Sequence, residues 1–353
     1  DLNQARDNLA GGGTATSGLA FGGLRNSDNN RTAETETWNG LVWAEVNDLN
    51  TARRQVGGTG SSQTSALCFG GEDSTTAHHV VTETWNGTNW TELNDMSTAR
   101  HVDGGAGTTT SALIGGGEGT SGDTIVTESW NGTNWTEVAD LPVAIFRPGA
   151  AGASNTAALS MGGSDGSTPN PAKCNTWNGS AWTNVADLNL GKTDFPGSGT
   201  STAAIAIGGI GTGSEFGQTE IWNGTVFTES SDLSTARRNT AASNSSSTAS
   251  LVYGGSSPTI YGRAEQWDAG VSIGAWRSGG SLNTAQRGQH AAVGTSTTTL
   301  VFGGYDGEGH TGATETYNGT TFFEVNDYNT SRQANGGLGT PTAALAIGGF
   351  TPG

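Results

Sequence analysis

The residues able to do chemistry in this 353-residue chain are few, and most of them recur. Five histidines are present, His78, His79, His101, His290 and His310. A catalytic zinc or copper centre needs several convergent ligands, and no spacing among these five supplies one. Cys68 and Cys174 stand far apart at unlike positions, which suits neither a disulfide framework nor a metal-ligand pair. What repeats is an arginine series, Arg6, Arg53, Arg100, Arg237 and Arg332, and a glutamate series, Glu36, Glu83, Glu128, Glu220, Glu265 and Glu315, each glutamate two residues before an aromatic. Residues two apart on a strand share a face. A side chain needed once in most units is structural: a guanidinium can bond several backbone carbonyls at a junction or stack on an aromatic, and the glutamate is its simplest partner. No catalytic residue, metal ligand or cofactor is expected.

The elements that carry these residues follow from a period. A Gly-Gly pair closes an apolar segment eight times, with its second glycine at Gly23, Gly71, Gly117, Gly163, Gly209, Gly255, Gly304 and Gly349, at spacings of 45 to 49 residues. Between the pairs lies an aromatic followed by Asn-Gly or a variant, at Trp38, Trp85, Trp130, Trp177, Trp222, Trp267 and Tyr317. A second aromatic follows five residues later at Trp43, Trp90, Trp135, Trp182, Phe227 and Phe322, with Trp276 displaced. Asn-Gly between β-prone segments predicts a type I′ hairpin with positive φ at both central residues. Each unit of about 46 residues is then two hairpins, a four-stranded antiparallel sheet of the size of a propeller blade. Small residues suit strands crowded around a central channel, and two large aromatics per unit can fill the space between sheets.

Composition agrees and excludes other classes. The chain has 58 glycines and only 13% charged residues, which no helical bundle or coiled coil tolerates. A net charge of −17 repels polyanions, so nucleic acid is not an expected partner. No apolar run approaches the ~20 residues needed to span a bilayer, and the first residues lack signal-peptide character. A soluble chain without membrane insertion is expected.

With Gly70-Gly71, Trp85, Trp90 and the Met96 to Arg100 link in view, the sequence resembles the kelch repeat family over essentially its whole length. Its Trp-Asn-Gly-Thr wording resembles repeats in tail-fibre and other virion proteins of marine bacteriophages. The resemblance implies an all-β propeller, residues 1–353 as one domain, with junctions near 47/48, 94/95, 139/140, 186/187, 231/232, 280/281 and 326/327. Trp38, Trp85, Trp130, Trp177, Trp222, Trp267, Tyr317, Arg53, Arg100, Arg237 and Arg332 are its structural repeat residues. Departures are Lys192 for Arg, Asn175 for Glu, a two-residue insertion before Arg147, and the Trp267 to Trp276 segment. Kelch-type copper oxidases use Tyr, His and Cys ligands in an arrangement not matched here, and the sialidase Ser-x-Asp-x-Gly box has no counterpart, Ser164-Asp165-Gly166-Ser167 being misspaced. Eight inner hairpins against seven outer ones predict an eight-membered ring with one incomplete blade; seven blades is the alternative, and residues before Asp1 could supply the missing hairpin.

The units differ most between their second and third strands, at Leu24 to Ala33, Glu72 to Val81, Ser164 to Lys173, Ile210 to Gln218, Ser256 to Ala264 and Tyr305 to Ala313. In a meander these loops share one face, and individual loops on a rigid scaffold are where recognition concentrates. Arg31, His78, His79, Phe216, Tyr261, Tyr305 and His310 are the expected contact residues, since aromatics and arginine dominate binding hot spots. The expected function is non-enzymatic binding or assembly in a virion, as a tail fibre or appendage. Its expected partners are other virion proteins or a host receptor, a glycan among the options. A secreted or cell-surface bacterial adhesin is the competing reading.

Overall fold

The computed structural model describes the chain apart from residues 26, 29, 103, 166–170, 244–245, 270–281, 284–290, 295–297, 304, 306–307, 319, 328, 333–335, 348–350 and 352–353. It falls into two compact units, Asp1–Val271 and Ser272–Gly353. Among the described residues there is no helix.

In the first unit, sequence order is sheet order, antiparallel throughout. Blade 1 comprises Ala10–Thr14, Ser17–Phe21, Thr35–Trp38 and Trp43–Val46. Blade 2 comprises Gly57–Ser62, Ser65–Phe69, Thr82–Trp85 and Trp90–Glu92. Blade 3 is Ala106–Thr108, Ser111–Gly115, Thr127–Trp130 and Trp135–Val138. Blade 4 is Gly149–Ser154, Ala157–Met161, Cys174–Trp177 and Trp182–Val185. Blade 5 is Gly197–Thr200, Ala203–Ile210, Glu215–Trp222 and Phe227–Ser230. Blade 6 shows Ala241–Ala242, Ala249–Tyr253 and Ala264–Asp268; Trp276 lies outside the described residues. The second unit is one sheet, Ala291–Gly294, Thr299–Phe302, Thr314–Tyr317 and Phe322–Val325, and a hairpin, Gly336–Thr340 with Ala343–Ile347.

The outer hairpins turn differently from the type I′ expectation. Trp38 pairs with Trp43, so the loop holds four residues. Only Gly40 has positive φ there, and the Asn39 side-chain oxygen accepts the amides of Leu41 and Val42 at 2.9 Å. Asn is therefore needed as a local acceptor, an Asx turn, rather than for αL backbone.

Six blades close the ring, which corrects the expectation of eight inner hairpins around one channel and its seven-blade alternative. At each seam the second glycine of a Gly-Gly pair donates its amide to the carbonyl at the arginine position of the next blade: Gly23 to Arg53, Gly71 to Arg100, Gly117 to Ile145, Gly163 to Lys192 and Gly209 to Arg237 at 2.8–3.0 Å. The sixth bond runs from Gly255 back to Arg6 at 3.0 Å. Both glycines are in the left-handed region, at φ 65° and 107° for Gly22 and Gly23, and a Cβ on Gly22 would lie 2.8 Å from the Arg53 carbonyl. No other residue fits there. The first residues complete the seam: Leu2 donates to the Gly262 carbonyl at 2.6 Å, and Asp1 accepts the Ala264 amide at 3.2 Å just as Asp48 accepts that of Thr35. Asp1-Leu2-Asn3 thus does for blade 6 what Asp48-Leu49-Asn50 does for blade 1.

The arginine–glutamate pairing appears as expected. Arg53, with no exposure, donates to the carbonyls of Gly70 and Val81 at 2.6 and 3.0 Å and to Glu83 at 2.6 Å, and Glu83 returns its other oxygen to the Asn50 amide. Arg6–Glu36, Arg100–Glu128 and Arg237–Glu265 repeat the pattern. Lys192 reaches Glu220 only at 3.8 Å, and burial pushes its ammonium down to about 8. Blade 4 carries no insertion: Ile145 occupies the arginine position, as its bond from Gly117 shows, opposite Asn175 in place of glutamate. Both charges are replaced together, which avoids the uncompensated buried ion that a single replacement would leave. Arg332, in the second unit, is only half-buried.

The first aromatic of each blade donates its indole N–H to the inner hairpin turn, from Trp38 to Ala15, Trp85 to Gln63, Trp130 to Thr109, Trp177 to Asn155, Trp222 to Ser201 and Trp267 to Ser247, all at 2.9–3.0 Å. Trp85, Trp130, Trp177 and Trp222 are buried; Trp38, Trp267 and Tyr317 are half-buried. The second aromatic crosses the seam. Trp90 meets Phe21 of blade 1 edge-on at 4.9 Å and donates to Thr35 at 3.0 Å; Trp135 treats Phe69 and Thr82 alike. At the closing seam Trp43 meets Tyr253 at 5.0 Å, but Ala264 stands at the threonine position and the buried Trp43 N–H has no partner. Trp90→Phe should therefore cost about 1 kcal/mol more than Trp43→Phe, both substitutions losing the same volume. Urea unfolding of the two variants checks this; equal losses would show that the seam hydrogen bond contributes nothing.

Candidate functional site

The repeat breaks its own rule at two columns. Immediately after the arginine position come Asp7-Asn8, Arg54-Gln55, His101-Val102, Phe146-Arg147, Thr193-Asp194 and Arg238-Asn239, no two alike. The first residue of each pair forms a short antiparallel bridge with the segment after Gly-Gly: Asp7 with Leu24, Arg54 with Glu72, His101 with Glu118, Phe146 with Ser164, Thr193 with Ile210 and Arg238 with Ser256. This places the variable link residues beside the variable loops, on one face. The second residues circle the channel mouth. Asn8 donates its amide to the Asn239 carbonyl, Asn239 to Asp194, Asp194 to Arg147, Val102 to Gln55 and Gln55 to Asn8. Asn8, Gln55, Arg147, Asp194 and Asn239 all have φ between 51° and 59°, a conformation uncommon outside glycine that collects at functional sites. Arg147 is clamped to Asp194 at 2.7 Å and stacks over Phe146 at 4.4 Å.

Side chains join neighbouring blades across this face. Arg31 of blade 1 and Arg54 of blade 2 both bind Glu72 through Oε1. Burial alone would push the Glu72 carboxyl up, yet the Arg31 hydrogen bond and the Arg54 charge hold it below the ordinary carboxylate range. The His78 ring packs at a tilt against that of His101 of blade 3, centroids 4.8 Å apart, and His101 meets Phe146 of blade 4 edge-on at 5.1 Å. His101 Nε2 lies 2.8 Å from Glu118, but burial outweighs that carboxylate and pushes the imidazole down to about 4. Burial also pushes the Asp7 carboxyl up. The thiols of Cys68 and Cys174, both pushed up to about 12 by burial, are not nucleophiles at neutral pH.

Of the expected contact residues, the structure brings Arg31 and His78 to Glu72, while His79 lies 3.2 Å from Asp73. Tyr261 bonds Ser257 and lies under Arg263 at 5.0 Å, a loop packing on itself. Phe216 is a correction: blade 5 extends its strands to Ile210 and Glu215, so Phe216 sits in a strand beside Gly209 rather than in a loop. Tyr305, 40% exposed, bridges to His310 in the second unit. The loop residues 166–170 lie outside the described residues. Reading the loops alone missed Arg54, His101, Phe146, Arg147 and Arg238; the signal that finds them is variation in an otherwise constant link.

No protein-family model matches the chain, and no curated protein sequence matches it. Among solved structures, one titled "Structure of YjhT" aligns with a TM-score of 0.61 at 12% identity, covering 74% of this chain and 95% of that one. The likeness shows the fold, a β-propeller.

His101 should remain neutral as pH falls and protonate near pH 4. Its depressed folded value means that the unfolded chain binds more protons between about 4 and 6.5. His101 therefore contributes stability in full above about 6.5, lost as pH falls towards 4. Imidazole NMR titration of wild type, with melting of His101→Gln over the same window, checks it; protonation of His101 near the ordinary histidine value would refute the burial argument.

Proposed function

We propose that this propeller is a non-enzymatic binding and assembly module working through the mouth face. The observation that carries the reading is the confinement of variation: constant seams, constant Asn-Gly turns, and individual residues only where the link and the loop after Gly-Gly meet. Rigid strands beneath and cross-blade contacts such as Arg31–Glu72 hold that surface in one arrangement, which lowers the ordering cost of binding. Arg54, Phe146 and Arg238 supply guanidinium and aromatic groups of the kind that dominate hot spots.

The repeats resemble kelch-type units, and their Trp-Asn-Gly-Thr wording resembles virion proteins of marine bacteriophages. That resemblance supports a place in a virion, as a tail fibre or surface appendage contacting a host receptor or a neighbouring subunit.

The test compares two variants that keep the seams intact. Arg54→Gln combined with Phe146→Ala and Arg238→Gln alters the mouth face; Leu41→Ser with Val226→Ser alters the exposed Asn-Gly turns opposite. Binding to host cells or isolated virions should fall at least ~10-fold for the first, since each lost hot spot is worth about 1–2 kcal/mol, and stay unchanged for the second. The reverse pattern with both variants folded would move the contact surface to the other face.

A further inference from the structure

The cluster around His101 has a chemistry that blade contact does not require. Glu72, His78 and His101 each offer a ligand atom, and these atoms lie within 4.8 Å of one another. They come from three places that no linear spacing connects: the residue after Gly71, the following loop, and the link into blade 3.

We propose that Glu72, His78 and His101 bind a divalent transition-metal ion of the zinc class at the mouth of the propeller. Two imidazoles and one carboxylate form a donor set suited to zinc, cobalt, nickel or ferrous iron, with further coordination positions open. Each of the three residues keeps an atom that the protein's own bonds leave over. Both arginines sit on Glu72 Oε1, leaving Oε2 without a hydrogen bond, and His78 Nδ1 is buried without one. His101 Nε2 lies 2.8 Å from Glu118, a carboxylate of the kind that commonly orients a ligating histidine; as the Nε2–H tautomer the ring keeps Nδ1 for the metal. Ligand atoms around zinc stand ~3.4 Å apart at bond lengths of ~2.1 Å, so the present spread closes with small side-chain movements. His78 is half-buried, and its backbone is fixed by the bridge to Glu72 and the Asp73 turn, so the approach needs only rotation of its side chain.

The surrounding charges set the strength. Glu72, Glu118, Asp73 and Asp123 favour a cation; Arg31, Arg54 and Arg147 oppose it. Binding is accordingly moderate.

The experiment uses the full chain without a histidine tag, stripped with chelator and titrated with zinc by calorimetry and with cobalt by visible absorption. One equivalent should bind, with tetrahedral or five-coordinate cobalt bands, and zinc should shift the ring signals of His78 and His101 in wild-type NMR spectra. His78→Ala should abolish the cobalt bands, Glu118→Gln should weaken binding about 10-fold, and His79→Ala should bind as wild type. No stoichiometric binding by wild type, zinc shifts confined to other histidines, or unchanged binding by His78→Ala would overturn the proposal.

Discussion

Everything else in the first unit depends on one junction, the amide of the second glycine in a Gly-Gly pair bonded to the carbonyl at the next blade's arginine position. It demands positive φ at both glycines, so the pair is obligatory. It brings the arginine backbone against the preceding blade while its side chain reaches back to its own blade's Gly-Gly carbonyl and glutamate. Blade spacing, the seat of the seam aromatics and the position of the variable link residues all follow. Because the bond recurs at every seam, the ring is a closed cycle of six like junctions.

Substitutions within the repeat make sense as pairs across these contacts. Isoleucine replaces arginine in the blade where asparagine replaces glutamate, at Ile145 and Asn175. Phe227, which has no N–H, crosses the seam into the core that holds Cys174 at the position where other blades keep the threonine acceptor. Trp43 opposite Ala264 is the exception, an indole left with an orphan donor at the closing seam. That cost falls where the two ends of the unit meet.

The propeller, its four-stranded blades and the arginine–glutamate pairing were legible because each rests on a local pattern: period, Asn-Gly, and side chains two apart on a strand. Ring size was not. Counting hairpins treats every repeat as equal, whereas closure is decided by which link reaches blade 6, and Asp1 holds that place through Ala264. The site was half legible. Variable loops stand out by eye, but His101 and Arg147 sit in links that look constant until the columns are aligned. The meeting of His101 with Glu72 and Phe146 is made by the curvature of the ring, which no one-dimensional spacing encodes. The turn mechanism was misjudged for a similar reason: Asn-Gly was the correct signal, with the asparagine acting through its side chain.

The central claim is that blade 6 closes on blade 1 through the same bond as the other five seams. Residue-resolved hydrogen exchange of the junction amides reads this directly, since a buried, hydrogen-bonded amide exchanges only on opening. The account predicts that Gly255 is protected to the same degree as Gly23, Gly71, Gly117, Gly163 and Gly209. Exchange of Gly255 at the rate of an open chain, with the other five protected, would contradict a six-bladed ring.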